Sequence, residues 1–162
     1  AFKIIKEYKI KRLVTGPISK KTFLKKKYLG LTEYISKNFN IKKNAMLIYN
    51  KKTSVCPVTT HLPLKLVSKK INKNLIVEKV KLIDEFYRKK LNKKPKIAIV
   101  GLNPHCESID KFNEDKKIII PSIKYLLKLK YNVSGPFAAD TIFMKQNSST
   151  KQAILNKQLM QY

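Results

Sequence analysis

The sequence predicts an α/β fold, a sheet of strands joined by helical crossovers, and three observations carry that expectation. Short apolar, β-branched segments alternate with segments of helical periodicity along most of the 162 residues. "KIAIVGLNP", Lys96 to Pro104, contains a continuous apolar run, the pattern of a parallel strand covered on both faces. Just before it, Ile76, Val80, Ile83, Tyr87 and Leu91 recur at helical spacing, an apolar stripe on a helix whose other faces carry lysines.

The elements follow in order. "AFKIIKEYKI" reads as the end of a helix already under way, and with no initiator methionine a fragment or a processed start is expected. Lys11 to Thr15 reads as a short buried strand ended by Gly16-Pro17. Ser19 can cap a helix running to about Tyr28, and Thr32 a second one through Ile35 and Phe39. With Glu33 in its first turn, that second start is either a plain N-cap or an anion site. "AMLIYN" and "TSVCPVT" bracket Asn50-Lys51-Lys52 as two strands and a turn.

After Pro63 the spacing becomes helical, and Lys93-Lys94-Pro95 stops it. A helix is expected from about Asn113 to Leu129, kinked or broken at Pro121 because proline lacks the N–H a helix interior needs. "YNVSGPFAADTIF" gives a short strand, a Gly135-Pro136 turn and a new helix start near Ala138. After Met144 the glutamine- and serine-rich "KQNSSTKQAILNKQLMQY" has weak periodicity, so 145–162 are expected to form a divergent, poorly ordered tail. No internal repeat is present.

Composition bounds the function. A hydrophobic content of 43% supports a real core and argues against disorder. The formal charge of +26 invites a nucleic-acid reading, yet only Arg12 and Arg88 among the 36 basic residues are arginines. Arginine supplies the planar fork preferred for phosphates and base edges, whereas lysine is a solvated point charge. The lysines are also spread over the whole length, which favours solvated faces over a specific nucleic-acid site. Cys56 and Cys106 form no disulfide framework, which fits a reducing cytosol, and no apolar run is long enough to span a membrane.

In open α/β sheets, ligands bind where loops leave the carboxyl ends of strands. "TGPISK", "TTHLPL", "GLNPHCES" and "GPFAAD" fall at such ends, and three of the four glycines, Gly16, Gly101 and Gly135, lie in them. The two histidines, His61 and His105, are too far apart for a local metal motif and would have to meet in space. Imidazole is a common ligand for divalent metals, but a catalytic site takes about three protein ligands. Asp140 or Cys106 could be the third; by spacing alone, each histidine reads more readily as a hydrogen-bonded loop residue than as a ligand. A Cys106–His105 dyad is disfavoured because neighbours in a strand-end loop point apart. There is no GxSxG elbow, GxGxxG fingerprint or P-loop.

Taken together, "VTGPISK", "GLTEY", "VTTHLPL", "GLNPHCES" and "GPFAADTIF", in that order, resemble the 4-hydroxythreonine-4-phosphate dehydrogenase family of vitamin B6 biosynthesis. The resemblance runs from about Ile10 to Met144, about the middle half of a full-length member. It implies an isopropylmalate dehydrogenase-like α/β/α architecture, here incomplete, with 1–144 a partial catalytic region of a two-lobed homodimeric enzyme. It also implies NAD or NADP, bound without GxGxxG, and a divalent metal ion (zinc, magnesium or cobalt). The implied reaction oxidises and decarboxylates 4-phosphohydroxy-L-threonine to 3-amino-2-oxopropyl phosphate.

Residue by residue, the resemblance makes His61 and His105 metal ligands and Thr32 a substrate-binding residue. It makes Asp140 an acidic catalytic residue beside the metal and Lys20 a charge partner for the substrate. Departures are evident as well. Leu31 stands where the family has histidine, and "CESIDKFNED" replaces a glycine-rich stretch. The third metal histidine of the family, in a later H-D-Q segment supplied by the partner subunit, has no counterpart here. The chain is therefore expected to be inactive alone, and a shifted or prematurely ended reading frame would explain the tail. The alternatives are a dehydrogenase of another phosphorylated hydroxy acid, such as a four-carbon sugar-acid phosphate, and a lysine-rich nucleic-acid-binding module.

Overall fold

The computed structural model describes residues 2–23, 27–28, 30–60, 62–103, 106, 113–139, 142 and 153–155. They fall into two units, 1–44 and 45–162.

In the first unit, α1 (Phe2–Glu7), α2 (Lys20–Phe23) and α3 (Leu31–Asn38) are short. The strand expected at Lys11–Thr15 is absent: that stretch is irregular and exposed, with Val14 95% accessible. Apolar β-branched residues supply strand propensity, but without a neighbouring strand the propensity has nothing to pair with. Ser19 does start α2, its carbonyl accepting the Phe23 N–H at 3.0 Å. The far end of that expected helix lies partly outside the described residues. Thr32 is not a cap. Gly30 occupies that position with extended backbone and no side-chain bond, its carbonyl taking the Tyr34 N–H at 3.2 Å, and Thr32 sits inside the first turn.

The second unit is built around β2 (Ile97–Val100), whose four residues are all buried. Alternation sends Ile97 and Ile99 into one apolar cluster and Ala98 and Val100 into another, as a strand covered on both faces requires. The first cluster is large. It joins β2 to α5 (Lys73–Leu91) through Ile76, Val80, Ile83 and Tyr87, and to Ile119, Ile123 and Leu126 of the following helical segment. α5 begins at an Asn72 cap whose side-chain oxygen accepts the Leu75 N–H at 2.9 Å, and ends at left-handed Asn92. Beyond Pro63 lies α4 (Leu64–Lys70), with Val67 and the adjoining Ile71 in the same core.

Pro121 neither breaks nor ends its helix. A π-helical stretch, Asp115–Ile119, runs directly into α6 (Ile120–Lys128), with Pro121 near the junction. Widening the turn ahead of the proline relieves the bond and the space its ring cannot accommodate. Ser122, fully buried, donates to the Ile118 carbonyl at 2.6 Å.

Four strands make one parallel sheet in the order β1-β4-β2-β3, with β1 at Ser54–Cys56, β3 at Val133–Phe137 and β4 at Ala153–Leu155. The expected "AMLIYN" strand contributes a single antiparallel bridge, Ile48 to Val55. Its turn is tied by Asn50, whose side-chain oxygen accepts the Lys52 N–H, and by the Ser54 hydroxyl donating to the Asn50 carbonyl. Gly135-Pro136 is not a turn: both residues lie within β3, where the register against β2 shifts. Gly135 has φ of +134°, and any side chain there would meet the Ile99 carbonyl. Within the stretch expected as a tail, 153–155 form β4, between β1 and β2. The helix expected near Ala138 falls largely outside the described residues.

Candidate active-site face

Because all four strands run parallel, their carboxyl ends share one end of the sheet. Register aligns them closely: Cys56 and Ile99 both pair with Leu155, and Val100 pairs with Phe137. The loops leaving β1, β2 and β3 therefore start side by side. They are the loops that contain His61, His105 and Asp140, all three outside the described residues. The ends of β1 and β2 stand two strand spacings apart, about 10 Å.

The described residues around these positions are firmly held. After β1, Val58 and Thr59 are buried, and the Thr59 hydroxyl oxygen has no hydrogen-bond partner among the described residues. After β3, Ala139 and Ile142 are buried against Ala98 and Val100 of β2, so both sides of Asp140 in sequence are anchored. After β2, the Gly101 N–H donates to the Phe137 carbonyl at 3.0 Å, and the Leu102 N–H to Asp115 Oδ1 at 2.8 Å. Cys106 takes a left-handed φ of 59° and donates its N–H to the Asn103 carbonyl at 3.1 Å. A Cβ on Gly101 would lie 2.5 Å from Cys106 Sγ and 3.2 Å from Asp115 Oδ1, so glycine is what lets thiol and carboxylate crowd this backbone.

The two cysteines differ. Cys106 is partly exposed, whereas Cys56 is fully buried, and desolvation pushes its thiol up to about 11 against the smaller opposing pull of Lys79. Cys56 is thus a neutral core residue. Thr32 is half-buried in α3 and Lys20 opens α2, both in the first unit. Among the described residues no group of three His, Cys, Asp or Glu side chains is placed to hold a metal, and no helix is long and apolar enough to cross a membrane. Sequence reasoning missed Asp115; the signal available was an acid in the first turn after the strongest strand, just ahead of "KKIII".

A parallel sheet joined by helices defines an α/β protein, and its carboxyl end, where β2 passes into the loop of Gly101, is the end at which open α/β enzymes bind ligands. The model of the family described as "Pyridoxal phosphate biosynthetic protein PdxA" matches residues 1–157, and the chain belongs to that family. The match extends past Met144, to residue 157.

Among its relatives, the 4-hydroxythreonine-4-phosphate dehydrogenase of Sulfurihydrogenibium sp. (strain YO3AOP1) is 39% identical over 147 residues. That alignment covers 88% of this chain and 46% of the relative. A protein of Oceanobacillus iheyensis, provisionally named a D-threonate 4-phosphate dehydrogenase, is 32% identical over 149 residues, 90% of this chain and 45% of its own. The crystal structure of 4-hydroxythreonine-4-phosphate dehydrogenase from Klebsiella pneumoniae superposes with a TM-score of 0.81 at 25% identity, covering 96% of this chain and 49% of that one. The chain spans about half the length of the curated relatives it matches.

Proposed function

We propose that this chain contributes the His61–His105–Asp140 face of a 4-hydroxythreonine-4-phosphate dehydrogenase. The reaction is the oxidation, then decarboxylation, of 4-phosphohydroxy-L-threonine with NAD or NADP as hydride acceptor. The observation that carries the reading is the family match over residues 1–157, joined to the aligned carboxyl ends of β1, β2 and β3. Two buried oxygens with no partner among the described residues, Thr59 Oγ1 and Asp115 Oδ2, belong to or touch the loops of the two histidines. Unpaired buried acceptors are costly and suit a site completed by a ligand.

In this reading His61 and His105 would hold a divalent ion (zinc, magnesium or cobalt), and Asp140 would serve as the acidic catalytic residue. Such an ion would supply Lewis acidity toward the substrate's oxygen atoms. Thr32 and Lys20 serve the phosphorylated substrate. The finer architecture is the isopropylmalate dehydrogenase-like α/β/α one. The working unit is a cytoplasmic homodimer.

With two histidines in the chain, the test is direct. Paramagnetic Co2+ should broaden the ring signals of both histidines in parallel, and His61→Ala should abolish the response at His105. Independent responses, or none, would overturn the metal reading. A second reading, a dehydrogenase for a four-carbon sugar-acid phosphate, draws on the Oceanobacillus relative. Assaying a full-length version with both compounds separates the two. Family membership leaves the nucleic-acid module without support.

A further inference from the structure

Ile48 is bridged to Val55 of β1 by both of its backbone groups, donating to the Val55 carbonyl at 2.8 Å and accepting the Val55 N–H at 3.0 Å. In an antiparallel pair, the neighbours of such a residue turn their own N–H and C=O away from the partner strand. The backbone groups of Leu47 and Tyr49 have no hydrogen-bond partner among the described residues, which leaves an unpaired edge. The side chains of the same alternating residues, Ala45, Leu47 and Tyr49, line a groove of about 380 Å³ whose other wall is Leu82, Ile83 and Phe86 of α5. Tyr49 remains 47% exposed and Phe86 37%, their rings 6.2 Å apart and edge to face. Proteins seldom leave an apolar edge of this kind without something to cover it.

The rim of the groove is cationic. On α5, Asp84 is engaged by Arg88 at 2.6 Å and Glu85 by Lys89 at 2.7 Å. Lys90, one helical turn beyond Phe86 on the same face, is exposed, as are Lys51 and Lys52 in the turn after Tyr49. None of these three lysines forms an ion pair among the described residues. We propose that this edge and groove together dock an extended segment of a partner protein, one with alternating apolar residues and flanking acidic residues for Lys51, Lys52 and Lys90. The segment's backbone pairs with Leu47 and Tyr49, and every second side chain enters the groove. A second copy of this chain is the poorer fit. Pairing two such segments about a two-fold axis at Leu47 sets Lys43 against Lys51, on chains that each carry a formal charge of +26.

The test titrates the full chain into a fluorescently labelled peptide in which valine and threonine alternate between terminal aspartates, with a lysine-ended version as control. Anisotropy should report saturable binding of the acid-ended peptide alone. Leu47→Pro removes an outward N–H that has no partner among the described residues, and should weaken binding about tenfold. Phe86→Ser should weaken it by a similar factor, and Lys51→Glu with Lys52→Glu should switch the preference to the lysine-ended peptide. These last variants are at exposed positions and keep the test valid should the proline disturb the fold, which the melting temperature reports. Failure of the acid-ended peptide to bind, equal binding of both peptides, or binding indifferent to Phe86→Ser and the charge reversal would overturn the proposal. So would dimerisation of the chain that Leu47→Pro abolishes, because the edge would then belong to a second copy.

Discussion

In the unit 45–162, β2, α5 and α6 share a closed apolar cluster; in the unit 1–44, no apolar side chain among the described residues is fully buried. The first unit is held by ring contacts instead. Tyr34 lies 5.1 to 5.4 Å from the rings of Phe2, Phe23 and Tyr28, and Lys37 stands over Tyr28. Rings and cations contribute about 1 kcal/mol per pair, whereas a buried aliphatic side chain contributes about 2 kcal/mol through water exclusion. A piece of about 40 residues cannot close a core by itself. The difference teaches that the loops of His61, His105 and Asp140 are mounted on the self-supporting unit, while Thr32 and Lys20 sit on the one that depends on local contacts.

The strongest way to break this contrast is Gly135→Ala. Its methyl group would meet the Ile99 carbonyl at a left-side φ, so a loss of about 4 kcal/mol or more is expected, seen as collapse of the denaturant midpoint. Leu126→Ala, at the fully buried centre of the core, should cost about 2–5 kcal/mol in the same measurement. Hydrogen exchange should show both losses throughout 45–139.

Alkali supplies a third handle. Burial raises the Cys56 thiol to about 11, so its neutral form is favoured by the fold. That contribution is complete below the ordinary thiol range and is lost as pH rises through about 11. Cys56→Ala should flatten this part of the pH–stability curve. Tyr34→Ala, by contrast, should cost about 1–2 kcal/mol, registered only by exchange within 1–44. Val14→Ser should change stability by less than about 0.5 kcal/mol, since Val14 touches water on nearly every side.

The parts of the fold legible in the sequence are those where periodicity and burial agree. Ile76, Val80, Ile83 and Tyr87 are all buried on one face of α5, and the unbroken run at 97–100 is the strand covered on both sides. Short strands were illegible for the opposite reason. Ala153-Ile154-Leu155 is a three-residue apolar island in a polar stretch, and its place between β1 and β2 comes from pairing, not from local pattern. Lys11–Thr15 shows the converse, propensity with no partner. At the sheet's carboxyl end, the ends of β1 and β2 were readable from the loops that follow them, whereas Gly16-Pro17 ends no strand and Gly135-Pro136 lies within β3. Asp115 was not readable, because a lone acid after a loop looks like an ordinary first-turn residue until its burial is known.

The position of β4 has a consequence for how the polypeptide is made. The residues that fill the second place in the sheet emerge from the ribosome after those of its other three strands. Until they arrive, β1 and β2 face an opening about one strand wide, lined on both sides by backbone groups able to pair with any extended peptide. A nascent or clipped chain ending before residue 153 would carry that slot exposed, and a neighbouring chain's strand could occupy it.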